Sequence, residues 1–322
     1  MSPAAKVAET LKSRRNILLL NHVAPDGDSL GSTLALARVL WARGQRAIVG
    51  SADGVPAVYR FLPDSDRVLT IIPEGEAFDA VVFMECSSPD RAGALATRAA
   101  GVPLCVNIDH HVSNSGYGDL VVWDTEAAAV AEVVYPIIRA LHPDLDRGTA
   151  ECLLTALLTD TGSFRYASVT PRSFQLAAEL VAAGASPGAV YGQVYENRAA
   201  AAVRLLGMAL SRMVVCEDGH VVWTTVSQAM LKDAEATMEE SEGIVGALRT
   251  IRDIQAAILF KEEPDGIHVS LRGVGGVRAN VIAEAFGGGG HAAAAGFTVK
   301  EPLDDVVRRT LAVVRGELGA AL

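Results

Sequence analysis

One imidazole and two carboxylates fall within seven residues in the segment His22-Val-Ala-Pro-Asp26-Gly-Asp28-Ser-Leu-Gly31-Ser32, directly after the apolar run Asn16–Asn21. Two aspartates one residue apart do not share a dry site unless a cation neutralises them. A pair of divalent ions about 3.5–4 Å apart, one on each carboxylate, would do so. Gly27 lets the chain turn tightly between the acids. The same position also suits a helix start, with Asp28 or Ser29 as N-cap.

Three further chain ends offer the same kinds of group. Asn107-Ile-Asp109-His110-His111 closes a second apolar run. Adjacent histidines on a loop face different ways, so one can bind metal while the other meets substrate or is held by Asp109, as carboxylates commonly hold metal-site histidines. Asp160 ends an apolar helical stretch in Leu157-Leu-Thr-Asp160-Thr-Gly162, and Glu85 follows the strand-like run Ala80–Met84. Each alone is an ordinary loop acid or histidine pair. Together they describe a binuclear oxygen and nitrogen site, which suits Mn²⁺ or Mg²⁺ better than a thiolate-bound metal. A separate anion site is expected in the C-terminal half. There Gly287-Gly288-Gly289-Gly290-His291 can bring backbone N–H groups to a phosphate, and Arg272 can fork onto its oxygens.

The elements that must position these groups alternate in type. Asn16–Asn21, Ala47–Gly50, Ala80–Met84 and Val102–Ile108 read as strands, while Ser29–Arg43, Glu126–Leu141, Arg147–Leu158 and Pro171 to about Gly184 read as helices. Such alternation implies an α/β domain, a parallel sheet with helices on both faces, with ligands beyond the carboxyl ends of the strands. Val190–Arg212 is alanine-rich and reads as a helical connection. Strands are expected at Met213–Cys216, Val221–Val226, Ile254–Lys261, Gly266–Leu271 and Gly296–Lys300. Helices at Ser241–Thr250, Ala279–Ala285 and Leu303–Arg315 would cover them, giving a smaller α/β C-terminal domain. The boundaries expected are residues 1–186, a linker at 187–212, and 213–322.

At 322 residues the chain exceeds the usual size of a single core. Its net charge of −10 argues against a grip on long duplex nucleic acid, while a small anionic substrate is compatible because bound metals reverse the field locally. The four cysteines are scattered, as in a reducing compartment. No secretory signal or membrane-length apolar stretch is present, so the expected location is cytoplasmic and away from membranes. The alanine-rich helix offers an apolar surface for a homodimer.

These motifs, in this order, resemble the DHH phosphoesterases: His22-x-x-Pro25-Asp26-x-Asp28 with Gly31-Ser32, then Asp109-His110-His111, then Asp160-Thr-Gly. Gly288-Gly-Gly-His291-x-x-Ala294-Ala295-Gly296 resembles the DHH-associated C-terminal domain, and Phe164-Arg165-Tyr166 with Thr170-Pro171 is most similar to the nano-RNase type. The resemblance implies one metal on His22 and Asp26, a second on Asp28, His110 and Asp160, and a bridging carboxylate at Glu85. It further implies that Asp109 and His111 act catalytically, with His111 on the substrate phosphate. Arg272, His291 and the backbone of Gly288, Gly289 and Gly290 would bind substrate from the second domain. The implied cofactors are two divalent ions, Mn²⁺ first, with Mg²⁺ or Co²⁺ as substitutes.

The implied reaction is hydrolysis of very short oligoribonucleotides and of 3′-phosphoadenosine-5′-phosphate by water activated between two cations. The competing substrates within the superfamily are cyclic di-AMP, pApA and pGpG. A reading of another class, a nucleotide-binding protein with weakened catalysis, rests on one departure: Glu85 stands where the family normally has aspartate.

Overall fold

The computed structural model describes residues 1–216 and 219–321. The chain forms two compact units, Met1–Asn197 and Arg198–Leu322.

The first unit runs α1 (Pro3–Lys12), β1 (Asn16–Leu20), α2 (Gly27–Ala42), β2 (Arg46–Gly50), β3 (Val68–Leu69), β4 (Ala80–Met84), β5 (Cys105–Asp109), β6 (Leu120–Trp123), α3 (Val130–Leu141), α4 (Arg147–Asp160), α5 (Pro171–Ala182) and α6 (Pro187–Tyr191). The strands make one sheet in the order β3-β2-β1-β4-β5-β6, and every pairing is parallel. Strands β1 and β4 are buried nearly throughout, as a strand sandwiched between two layers requires. Ile17 and Leu19 face the core beneath the α-helices, whereas Leu18 and Leu20 face the opposite layer. That opposite layer is built on the 3₁₀ segment Pro89–Ala99 rather than on a regular α-helix. The strand order reverses between β1 and β4, which opens a crevice at their carboxyl ends. His22 follows β1 and Glu85 follows β4.

Helix α2 is buried over most of its 16 residues, because it packs on the sheet with one side and on α4 with another. A Cβ on Gly31 would lie 2.3 Å from the Cys152 carbonyl oxygen, so only glycine permits this crossing. The expected helix from Glu126 begins only at Val130, and Pro3–Lys12, to which the sequence pattern assigned no element, is a helix capped by Ser2.

The second unit contains α7 (Ala200–Ser211), β7 (Val214–Val215), β8 (Val221–Val226), α8 (Gln228–Ala234), α9 (Ile244–Leu248), β9 (Ala256–Glu263), β10 (Gly266–Gly273), α10 (Ala279–Glu284), β11 (Gly289–His291), β12 (Ala294–Val299) and α11 (Leu303–Ala321). Its sheet has the order β11-β12-β10-β9-β8-β7 and is mixed, parallel only between β8 and β9. One face packs on residues of α10 and α11, the other on residues of α7, α8 and α9. The stretch expected as one helix over Val190–Arg212 is interrupted: a π-helical turn at Gly192–Glu196 and non-helical residues before Ala200 separate α6 from α7. Among the described residues no helix is long and apolar enough to cross a membrane.

Candidate metal centre

Asp26, not Asp28 or Ser29, caps α2: its side chain accepts the Ser29 N–H at 2.9 Å. Asp28 turns the other way and is fully buried. Its Oδ2 accepts the Val130 N–H at 2.5 Å and its Oδ1 the Ala131 N–H at 3.1 Å, the first amides of α3. A carboxylate suits that end of a helix dipole. Two carboxylates two residues apart thus serve the starts of two different helices.

His22 is fixed by Nδ1 against the Val23 carbonyl at 2.8 Å, and its Nε2 lies 3.8 Å from Asp26 Oδ1 and 3.8 Å from Glu85 Oε2. His110 repeats the arrangement. Its Nδ1 meets the Ala127 carbonyl at 3.0 Å, and its Nε2 lies 3.4 Å from Asp160 Oδ2 and 3.7 Å from Glu85 Oε1. In both rings one nitrogen is held by a backbone carbonyl and the other is aimed at carboxylates, the usual preparation of a metal-binding histidine. Glu85 lies between them, one oxygen toward each ring.

Three sets of potential ligand atoms result, each within 4.8 Å of one another: His22, Asp26 and Glu85; Asp28, His110 and Asp160; and Glu85, His110 and His111. Ligands on opposite sides of a Mg²⁺-sized ion sit about 4 Å apart, so these spacings fit. The charge balance fits as well. Burial, then repulsion from Asp26 and Asp28, raises the Glu85 pKa well above the carboxylate range. Burial, then Asp160, does the same to Asp28. Burial lifts Asp160 to about 6. For His110, burial opposes the charged form but the neighbouring Asp28 and Asp160 outweigh it, and its pKa rises. Glu85 Oε2 is buried without a hydrogen-bond partner, which is costly for a carboxylate unless a cation meets it. The residues present fit a pair of divalent ions.

Asp109 serves differently. It is fully buried and accepts the backbone N–H groups of His110 and His111 at 2.7 and 3.1 Å, and His111 Nδ1 at 2.9 Å. Burial alone would raise its pKa, but these donors and Asn114 hold it below the usual value. It orients the histidine pair.

Sequence reasoning did not single out Asn114 or Tyr59. The Tyr59 hydroxyl receives the Gly27 N–H, and burial, with Asp26 nearby, raises its pKa. No motif marks Tyr59, which reaches the centre from a separate 3₁₀ turn, while Asn114 lies three residues beyond His111 and was legible only by proximity.

The second unit holds the remaining predicted residues. Arg272 on β10 pairs in register with Ala294, and Ala294 pairs with His291 on β11, so the three stand side by side on neighbouring strands. The Arg272 Nη1 donates to the Leu271 carbonyl at 2.9 Å. The His291 side chain lies outside the described residues. The glycine run is not wholly a loop, since Gly289 and Gly290 pair with Gly296 and Ala295. A Cβ would come within 2.3 Å of the Gly296 oxygen at Gly288 and 2.6 Å of the Ala294 oxygen at Gly290. Close strand approach therefore accounts for these two glycines, and the Gly288 N–H is taken by the Ala283 carbonyl at 2.9 Å.

Residues 16–157 match the model of the DHH family, N-terminal domain, and residues 219–319 that of the DHHA1 domain. A bifunctional oligoribonuclease and PAP phosphatase NrnA from Thermus thermophilus is 35% identical over 320 residues, 98% of this chain and 94% of that one. The Bacillus subtilis protein of the same name is 27% identical over 297 residues, 91% of this chain and 92% of that one. The solved structure of an exopolyphosphatase-related protein from Bacteroides fragilis shares the fold, with a TM-score of 0.94 at 24% identity over 99% of this chain and 97% of that one. With both domain types present in order and a relative this similar along nearly its whole length, the chain belongs to the DHH family, in its DHHA1-bearing nano-RNase branch.

Proposed function

We propose that this protein is a two-metal phosphoesterase that hydrolyses very short oligoribonucleotides to mononucleotides and 3′-phosphoadenosine-5′-phosphate to AMP. The observation that carries the reading is the convergence of two ligand sets on one carboxylate, Glu85, at the sheet's switch point. The names of the similar proteins from Thermus thermophilus and Bacillus subtilis support the substrate class. His22 and Asp26 would hold one ion, Asp28, His110 and Asp160 the other, with Glu85 between them. Oxygen-rich sets with imidazole favour Mn²⁺. Two such ions, when bound, neutralise the carboxylates, polarise the phosphoryl group and lower the pKa of water.

The protein's own residues then orient and stabilise. Asp109 accepts from His111 Nδ1 and so fixes the ring, leaving Nε2 for a phosphoryl oxygen of the substrate. Arg272, His291 and the backbone of Gly289 would supply the phosphate donors of the second unit; the Gly288 N–H, expected among them, is instead held by the Ala283 carbonyl. An acidic chain of this kind is suited to a small substrate in the cytoplasm, and α7, with Val203 exposed, offers a homodimer surface.

The test is product analysis of a short RNA length series with Mn²⁺, with 3′-phosphoadenosine-5′-phosphate, pApA, pGpG and cyclic di-AMP alongside. Mononucleotides and AMP are expected, and Asp28→Ala or His110→Ala should abolish all activities together. Metal-saturated protein that leaves every one of these esters intact would overturn the reading.

A further inference from the structure

Three donors converge on the Cys86 carbonyl, the backbone group next to Glu85: Asn107 Nδ2 at 3.0 Å, the Tyr117 hydroxyl at 2.9 Å and Asn114 Nδ2 at 3.5 Å. The same Asn114 amide donates to Asp109 Oδ2 at 2.5 Å and to Asn107 Oδ1 at 3.0 Å, while its own Oδ1 accepts the Gly116 N–H at 2.7 Å. Beside it, the Ser115 N–H and hydroxyl both donate to the Ser87 carbonyl. Residues 114–117 therefore form a strap across the ends of β4 and β5. The end of β4 carries Glu85, whose backbone is left-handed at φ 58°. The neighbouring end of β5 carries Asp109, His110 and His111. Asn114 is buried at 7% exposure, and it is the side chain of the strap that reaches both.

We propose that Asn114 is a positioning residue of this centre, holding the Asp109 carboxylate in the plane that fixes the His111 ring and bracing that arm against the Glu85 backbone. The proposal rests on the phosphoesterase reading for its catalytic consequence, but the geometry it asserts does not. Asp109 has two oxygens and one orientation that serves His111 Nδ1. Its Oδ1 already takes three donors from the histidine pair. Without an amide on Oδ2, the carboxylate is free to rotate about its terminal torsion, which is broad and soft. A plain turn-stabilising asparagine would need only the Gly116 contact. The donor side of the amide is spent on the site.

Asn114→Asp separates these roles, because it keeps an acceptor for the Gly116 N–H and replaces the donor facing Asp109 by a negative oxygen. The first readout is the ring ¹⁵N spectrum of His111 in metal-free protein, assigned against His111→Ala. The native protein should show the Nδ1–H tautomer, and the variant should lose it. The second readout is steady-state kinetics, where kcat should fall about 10–100-fold, as for other residues that orient metal-site groups, with KM within about twofold. In an Asp109→Asn background the same substitution should add less than about twofold, since its route is already cut. An unchanged His111 tautomer in folded Asn114→Asp protein overturns the proposal, as does a full independent loss on top of Asp109→Asn. If the aspartate variant does not fold, Asn114→Ser takes the same two readouts with the same expectations. A native protein inactive on every ester would sink the functional reading, while the tautomer would still decide for or against Asn114.

Discussion

Glu85 concentrates the physics of the site in one side chain. It is 3% exposed, its Oε2 has no hydrogen-bond partner, and its backbone takes a left-handed φ that favours glycine. Strain and a buried carboxylate oxygen without a hydrogen bond persist together only when the surroundings fix them for a purpose. A cation shared with His22 on one side and His110 on the other supplies that purpose. Glu85→Gln should therefore weaken Mn²⁺ binding at least about 100-fold by calorimetry, more than the 10–100-fold typical of outer-shell changes. Glu85→Asp restores the family's usual residue and should still bind two ions per chain. Loss of one ion in that variant would show that the longer side chain is needed here. Asp160 makes a pH prediction. Its pKa is about 6 in the folded, metal-free protein and near 3.8 in the unfolded chain, so it contributes stability below about pH 4 that is lost as pH rises through 6. His110, also raised, acts with the same sign. In EDTA, the stability of the native protein minus that of Asp160→Asn should fall between pH 4 and 6. A flat difference would show that the cluster is not charged as described.

At the scale of elements, the centre is built from starts and ends. Strands β1, β4 and β5 deliver His22, Glu85 and Asp109–His111 at their carboxyl ends, α4 delivers Asp160 at its last residue, and the starts of α2 and α3 are met by Asp26 and Asp28. Asp28 carries two burdens, as a metal-set carboxylate and as the acceptor for the first amides of α3. The substitutions Asp28→Asn and Asp28→Ala separate these. Both should be inactive, since both remove the charge. Both relieve the repulsion from Asp160 and Asp26 in metal-free protein, but only asparagine keeps an oxygen acceptor for one of the Val130 and Ala131 amides. Asp28→Ala should therefore be less stable than Asp28→Asn by about 1–2 kcal/mol in EDTA, the usual worth of a good N-cap. Equal stabilities in urea unfolding would mean that α3 does not depend on this carboxylate.

For the whole molecule, the division into Met1–Asn197 and Arg198–Leu322 separates the chemistry. Among the described residues every potential ligand set lies in the first unit, and each unit encloses its own hydrophobic clusters. A fragment of residues 1–197 should fold and bind Mn²⁺ within about threefold of the full chain, while losing most cleavage of short RNA with the donors at Arg272 and His291. A fragment unable to bind Mn²⁺ would show that the centre needs more than the first unit.

The sequence alone determined the kinds of groups and the alternation that carries them. Acids and imidazoles directly after apolar runs are local features, and a strand–helix rhythm is local too, so both can be read without knowing contacts. His22, Asp26, Asp28, Glu85, His110 and Asp160 were all legible in that way, as was the parallel sheet. Local patterns did not reveal which neighbour each group would meet. The grouping of Asp28 with His110 and Asp160 was implied by the family resemblance rather than by local pattern, while the cap of α2 on Asp26 and the strap at Asn114 that ties β4 to β5 were not foreseen. Those outcomes depend on the reversal of strand order between β1 and β4, which brings together loops far apart in the chain. Burial in that crevice then sets the carboxylates against one another, and burial is a property of the folded packing, not of any single segment.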